Sequence, residues 1–264
     1  MRLYPPAKIN LGLNIVSKRP DGYHDLETVF YPLFDVTDVL DVNAVDGENG
    51  AVTLSLDGNK IDGDPEKNLV VKAYRLLSND FEVPAMRINL TKRIPMQAGM
   101  GGGSADAAYM LKAVNELANL GLTDDQLEEY ALKLGADCPF FVRCKPCFAT
   151  GVGEKMTQID FSLGEYEIRH VKDDAISVST ADAFRNIPVA KPERRCDDIV
   201  LNEPMENWKH LLKNDFETTV FAKYPKLAEI KQQMYDEGAA YSVMTGSGSA
   251  IIGIFKKENQ ETQK

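Results

Sequence analysis

The stretch PMQAGMGGGSADAA, Pro95–Ala108, places four glycines within five positions and then turns at once to serine, alanine and aspartate. Glycine is the poorest ordinary helix former and alanine the best, so two opposite local preferences meet here. The flanks resolve the conflict. Ahead of it, MRINLTKRIP (Met86–Pro95) alternates Ile88, Leu90 and Ile94 with Arg87, Asn89, Thr91 and Arg93, the period of a half-buried strand. Behind it, SADAAYMLKAVNELANLG (Ser104–Gly121) spaces Ala107, Leu111, Val114 and Leu117 along one helical face, with Ser104 as N-cap and Gly121 as stop. The segment reads as strand, glycine loop, helix N-terminus.

That order suits an anion. The first amides of a helix lack internal partners and carry the positive end of its dipole. A loop without β-carbons lets a phosphate approach several of those amides at once. A flexible surface turn is the competing reading, but the entropy cost of Gly99, Gly101, Gly102 and Gly103 in one place favours a ligand. The candidate contacts of such a phosphate-bearing ligand are Pro95, Met96, Gln97, Ala98, Gly99, Met100, Gly101, Gly102, Gly103, Ser104 and Ala105. The stretch is not a P-loop, because no Gly-Lys-Ser/Thr closes it. Nor is it a dinucleotide fingerprint, since Ser104 stands where the last glycine belongs.

The 264 residues suffice for one large domain or two small ones with real cores. A composition of 44% hydrophobic and 27% charged residues is that of an ordinary soluble globular protein. With a net charge of −10, a pI near 4.9 and no basic stripe, nucleic acid is not an expected partner. No apolar run approaches the length of a membrane span and MRLYPPAKIN has no apolar signal core, so a membrane is not expected either. Cys144 and Cys147 form a C-x-x-C without a second pair, and the chain has only three histidines. Free thiols in a reducing cytoplasm are expected in place of a zinc site.

Along the chain, AKINLGLNIV sets Ile9, Leu11, Leu13 and Ile15 on one strand face and Lys8, Asn10, Gly12 and Asn14 on the other. The RPDGYH turn leads to a return strand, LETVFYPL, and further strands are expected at VLDVN and AVTLSL. NLVVKAYRLLSN reads as a helix capped by Asn68. TDDQLEEYALKLG reads as another, with a Thr123/Gln126 capping box and Gly135 as C-cap. Gly151 and Gly153 make a hinge, which divides the chain into domains of residues 1–152 and 153–264. The second half begins with strand-like YEIRHV and AISVS. Helices follow around Ala181–Arg185, Trp208–Leu212 and Pro225–Glu237, and AAYSVMTGSGSAIIGIF closes it as a strand, a Gly/Ser hairpin turn and a strand. The polar tail from Lys256 reads as frayed.

Three stretches together, PAKINLGLNIVSKRPDGYHDLETVF, IPMQAGMGGGSADAA and MTGSGSAIIGIF, resemble the signature motifs of the small-molecule kinases named after galactokinase, homoserine kinase, mevalonate kinase and phosphomevalonate kinase. Within that superfamily, Lys8, Asn10, RPDGYH and LGADCPFF resemble the branch that phosphorylates a cytidine diphosphate-linked methylerythritol in non-mevalonate isoprenoid synthesis. The resemblance runs from Pro6 to Phe255. It implies a two-domain α+β fold, with a ribosomal-protein S5-like N-terminal domain and a ferredoxin-like C-terminal domain. It also implies transfer of the ATP γ-phosphate to a tertiary hydroxyl, with magnesium accompanying ATP. HVKDDAISVST departs from the pattern, carrying Asp173-Asp174 where such kinases often have proline or glycine.

The same resemblance assigns roles to residues that have plainer alternatives. Asp137 becomes the base; on spacing alone it could equally be an N-cap ahead of Pro139. Lys8, otherwise a solvated lysine near a chain end, would lie beside Asp137 and polarise the substrate hydroxyl, with Asn10 on the same strand face as a substrate contact. Tyr23 and His24, ordinary turn residues otherwise, would hold the cytosine, and Phe184 would cover the base's other face in place of a core role. Gly246 and Ser247 would complete the substrate site. Asn68 would lie near the adenine, although capping explains it as well. Ser104 is a weak magnesium candidate, since capping already accounts for it. Two rivals remain: a kinase acting on homoserine or a mevalonate, and a nucleotide-binding module without turnover.

Overall fold

The computed structural model describes residues 1–59, 64–185 and 187–257; the tail expected to fray lies outside them from residue 258. The first half runs β1 (Arg2–Leu3), β2 (Pro6–Lys18), β3 (His24–Thr37), β4 (Val39–Val45), β5 (Val52–Gly58), α1 (Leu69–Ser78), β6 (Ala85–Lys92), α2 (Gly102–Leu117), α3 (Asp124–Leu132), α4 (Phe140–Arg143), β7 (Cys147–Gly151) and β8 (Lys155–Gln158). The remainder runs β9 (Tyr166–Val171), α5 (Thr180–Phe184), α6 (Cys196–Asn202), α7 (Met205–Leu211), α8 (Phe216–Lys223), α9 (Pro225–Asp236), β10 (Tyr241–Met244) and β11 (Ile251–Lys256). The architecture is α+β.

Three sheets result, in strand orders β1-β4-β6-β5, β2-β3-β7-β8 and β10-β11-β9. All pairs are antiparallel except β5 with β6. One apolar cluster packs α1 and α2 on the first sheet through Val70, Tyr74, Leu77, Ile88, Leu90 and Leu111. A second joins Ile9 and Leu11 of β2 to Trp208, Tyr241, Val243 and Ile252. A third joins Leu13 and Ile15, further along β2, to Phe216, Leu227, Ile251 and Phe255. β2 is thus buried on both faces. The alternation read from AKINLGLNIV breaks at a bulge between Leu11 and Leu13, so Leu13 lines the same cleft as Lys8 and Asn10 while Ile9 and Leu11 pack in the second cluster.

Several local expectations need correction. Gly151 and Gly153 lie at the turn of the β7–β8 hairpin, so a boundary at 152/153 would cut between two paired strands. Helix α2 begins at Gly102, with Gly101 as its N-cap at φ 73 and no side-chain cap. Ser104 is therefore the third residue of the helix and not its cap: the left-handed turn at Gly101 starts the helix earlier than a serine cap would. Helix α3 has the expected capping box but ends at Leu132, with Lys133 and not Gly135 as its C-cap. AISVS is not a strand. Asp173 Oδ1 accepts the Ala175 N–H at 2.9 Å and its carbonyl accepts that of Ile176, so a side-chain-held turn stands at the departure from the family pattern. Ile176 and Val178 then bury in the third cluster.

Candidate active site

Two concavities meet at the glycine loop. One, of about 490 Å³, opens between β2, β3, the segment after Val178 and the β10–β11 turn, and it contains Lys8, Asp137, Phe184, Gly246 and Ser247. The other, of about 230 Å³, is enclosed by the loop itself, with Leu69 and Lys92 on its wall. Gln97, Gly99 and Gly101 line both. The glycine loop thus forms part of the wall of both.

Lys8 Nζ lies 3.5 Å from Asp137 Oδ2. The lysine side chain is 4% exposed, which excludes the solvated alternative, whereas Asp137 is 37% exposed and reaches the cleft. The Asp137 carboxylate caps nothing: the short helix α4 starts after Pro139 without a side-chain cap. Lys8 Nζ also donates to Asn10 Oδ1 at 2.7 Å and sits 4.8 Å from the Phe30 ring centroid. One proton of the Asn10 amide is used inside the protein, its Nδ2 donating to Thr28 Oγ1 at 3.0 Å, and Asn10 also lines the larger cleft.

The glycines divide by what a β-carbon would meet. At Gly99 it would collide with the Thr245 carbonyl, because the β10–β11 turn presses backbone to backbone on the loop. At Gly101 it would come within 2.8 Å of Phe141 Cζ and 3.0 Å of Lys8 Cγ, and at Gly102 within 3.1 Å of Ile94 Cγ2. Only Gly103 is open, with Leu69 Cδ1 at 3.8 Å as its nearest neighbour. Packing within the protein thus demands glycine at Gly99, Gly101 and Gly102, while Pro95–Ser104 as a whole lines the smaller cavity. Ala105, expected as a contact, is fully buried, and its N–H donates to the Gly101 carbonyl.

The aromatic residues separate. His24 and Phe184 stack on each other at 4.8 Å and 18°, and Phe184 meets Phe216 edge-on. Tyr23 is 65% exposed on the RPDGYH turn and does not line the cleft. Asn68 caps α1, with Oδ1 accepting the Val70 N–H at 2.9 Å; its neighbour Leu69 is the residue on the smaller cavity. Ser247 Oγ lies 3.0 Å from Thr180 Oγ1 across the cleft.

Sequence reasoning missed a charged group under the loop. Lys92, 2% exposed, pairs with Asp38 and, at 2.6 Å, with Asp106 Oδ2. Asp38 also accepts the Arg93 and Ile94 N–H groups at 2.6 and 2.9 Å, which ties the end of β6 to the loop. Burial, with Asp38 adding to it against Lys92, pushes the Asp106 carboxyl up to about 7, and its Oδ1 has no partner among the described residues. The signal was there: Lys92 continues the buried face of Met86, Ile88 and Leu90, where a lysine needs a partner. The cysteines are four free buried thiols, and burial raises Cys144 to about 11 and Cys147 to about 12, so neither is poised to react. Among the described residues no helix is long and apolar enough to cross a membrane.

Residues 68–145 match the GHMP kinases N terminal domain and residues 198–263 the GHMP kinases C terminal domain. The chain is 49% identical to the 4-diphosphocytidyl-2-C-methyl-D-erythritol kinase of Bacteroides fragilis over all of this chain and 95% of that one. The chain belongs to the GHMP kinase family. Another member, from Porphyromonas gingivalis and bearing the same kinase name, is 44% identical over 98% of this chain and 94% of its own. Among solved GHMP kinases, the crystal structure of a 4-(cytidine 5'-diphospho)-2C-methyl-D-erythritol kinase superposes with a TM-score of 0.77 at 32% identity, covering 96% of this chain and 90% of that one. Mevalonate kinase of Methanococcus jannaschii (TM-score 0.67, 16% identity, 97% and 90% covered) shares the fold. As a GHMP kinase the chain is an ATP-dependent phosphotransferase of two-domain α+β build.

Proposed function

We propose that this kinase transfers the γ-phosphate of ATP to the tertiary 2-hydroxyl of 4-diphosphocytidyl-2-C-methyl-D-erythritol, a step of non-mevalonate isoprenoid precursor synthesis. The observation that carries the chemistry is the Lys8–Asp137 pair, 3.5 Å apart in the larger cleft, whose Gln97, Gly99 and Gly101 also line the smaller cavity. Phosphoryl transfer asks for alignment, charge stabilisation and a place for the hydroxyl proton. The triphosphate lies in the 230 Å³ cavity on the amides of Gly103 and Ser104, at the positive end of α2. Its γ-phosphate faces the larger cleft past Gly99 and Gly101. The substrate hydroxyl approaches from the other side, donates its proton to Asp137 and attacks the γ-phosphorus as its bond to the β–γ bridging oxygen breaks and ADP leaves, while Lys8 Nζ offsets the charge gathering at the reacting oxygens.

The donor set fits an ion carried by the phosphates. Ser104 lines the phosphate cavity and, relieved of capping, is the residue whose hydroxyl would hold magnesium; among the described residues no cluster of three metal-ligating side chains forms a cage. When bound, the ion would offset the negative charge of the triphosphate. The cytidine end of the substrate is taken by the Phe184 side of the cleft, with His24 behind that ring and Tyr23 free to close over the base. Four buried free thiols support a reducing cytoplasm as the place of work.

An ATP-consumption assay with the cytidine substrate, R-mevalonate and L-homoserine side by side tests this. Turnover confined to the cytidine substrate is expected; turnover on either of the others, or nucleotide binding with no turnover at all, overturns it.

A further inference from the structure

We propose that Thr245 is a positioning residue for phosphoryl transfer, whose single hydroxyl on the β10–β11 turn fixes Lys8 through Asn10 and couples it to the phosphate loop. The inference rests on the kinase reading above and adds to it a residue outside both the loop and the base pair.

Hydrogen-bond directions along the network leave little freedom. The Thr28 hydroxyl gives its proton to the Gly12 carbonyl, so Thr28 Oγ1 is left to accept the bond from Asn10 Nδ2. That settles which way the Asn10 amide points. Its Oδ1 must face Lys8 Nζ, which it meets at 2.7 Å. A lysine on a four-carbon stem has several rotamers, and this bond selects the one beside Asp137.

Thr245 holds the other side of Asn10. Its Oγ1 accepts the Asn10 backbone N–H at 3.0 Å, so its own proton must go to an oxygen. Two lie at 3.3 Å: Asn10 Oδ1 and the Gly99 carbonyl. One hydroxyl therefore touches the strand of the catalytic lysine, the amide that aims it and the phosphate loop. Thr245 is fully buried and has no other evident use for a hydroxyl. Its turn is also held from below, since Asn214 Nδ2 donates to the Met244 and Gly246 carbonyls at 2.6 and 2.8 Å. The Lys8 N–H adds a bond to the Met100 carbonyl at 2.9 Å, so strand, loop and turn form one unit.

Thr245→Val keeps the shape and removes the hydroxyl; Thr245→Ser keeps the hydroxyl and removes the methyl. For a positioning role, Thr245→Val loses about tenfold or more in kcat, while KM for each substrate moves less than about threefold. Thr245→Ser recovers kcat to within about threefold of wild type, measured well below the melting temperature of each variant. A merely structural threonine gives lower melting temperatures and wild-type kcat in both. Wild-type kcat in Thr245→Val, or Thr245→Ser no better than Thr245→Val, overturns the proposal. Should Thr245→Val not fold, Thr245→Ala takes its place in the same comparison. Wild-type protein inactive on the cytidine substrate would instead overturn the functional reading, and the wild-type control separates the two failures.

Discussion

Lys8 Nζ stands 3.5 Å from Asp137 Oδ2, and the two ends of that pair live in different surroundings: the lysine is almost wholly buried, the aspartate opens to the cleft. A buried cation needs a fixed partner, whereas a proton acceptor must be reached by substrate. Asp137→Asn keeps size and polarity but cannot take a proton at neutral pH. Turnover should fall by roughly two orders of magnitude or more, the usual contribution of a positioned base. KM values and melting temperature should change little. Lys8→Met should cost a comparable factor, and the double variant should be far less than multiplicatively worse, because both act on one transfer. Steady-state kinetics with a melting curve for each variant decide it. Near-normal turnover in Asp137→Asn would remove the aspartate from catalysis.

The glycine loop yields a contrast between neighbours. A β-carbon at Gly103 meets nothing closer than 3.8 Å, while one at Gly101 meets Phe141 and Lys8 and must also hold φ 73. Gly103→Val should fold with a near-normal melting temperature and bind ATP at least about tenfold more weakly, since the added methyls stand where the phosphates approach. Gly101→Val should lose stability outright, by about 1–3 kcal/mol or more from overpacking together with left-handed strain. Thermal unfolding and nucleotide titration of both variants check the pair. Equal ATP affinity in a folded Gly103→Val would place the triphosphate elsewhere.

That contrast also shows how far sequence carries. Strand, loop and helix were legible around Pro95–Ala108 because period and composition are local signals, and the Thr123/Gln126 capping box and the Asn68 cap were legible for the same reason. What made Gly99 and Gly101 glycines was not local. Thr245 is far away in the chain and Phe141 belongs to another helix, and no spacing rule announces that their atoms occupy the space of a missing β-carbon. The hairpin at Gly151–Gly153 was misread as a hinge because a left-handed glycine serves a tight turn and a linker equally well. Lys8, Asn10 and Asp137 were brought together by resemblance, and the short helices α6 and α8 escaped notice because seven or eight residues scarcely establish a period.

The aromatic end of the cleft makes a selective prediction. Phe184 lines the cavity and is braced by His24 on its face and Phe216 on its edge. Stacking on a nucleobase contributes about 1–3 kcal/mol per base. Phe184→Ala should therefore raise KM for the cytidine substrate by about tenfold or more and leave KM for ATP within about twofold. Tyr23→Ala should shift the same constant in the same direction without touching stability, since the ring is exposed. Movement of the ATP constant alone would assign these rings to the other cavity.

Asp106 adds a pH dependence to the stability of the fold. Its carboxyl is raised from an ordinary value near 3.8 to about 7, chiefly by burial and further by Asp38, with Lys92 opposing. Between those two values the unfolded chain has released this proton and the folded chain still holds it. The folded state then binds more protons, so this group's contribution to stability is full below about pH 4 and is lost as pH rises through about 7. Other carboxylates, such as Asp41 and Asp198, which are lowered by their arginine partners, slope the opposite way at more acid pH. Asp106→Asn removes the titration and keeps the shape. Between about pH 5 and pH 7.5 the wild type should lose stability relative to the variant, with the difference levelling off above that range. Denaturant unfolding of both proteins across the interval measures it, and parallel stability curves would mean that Asp106 is ionised throughout beside Lys92.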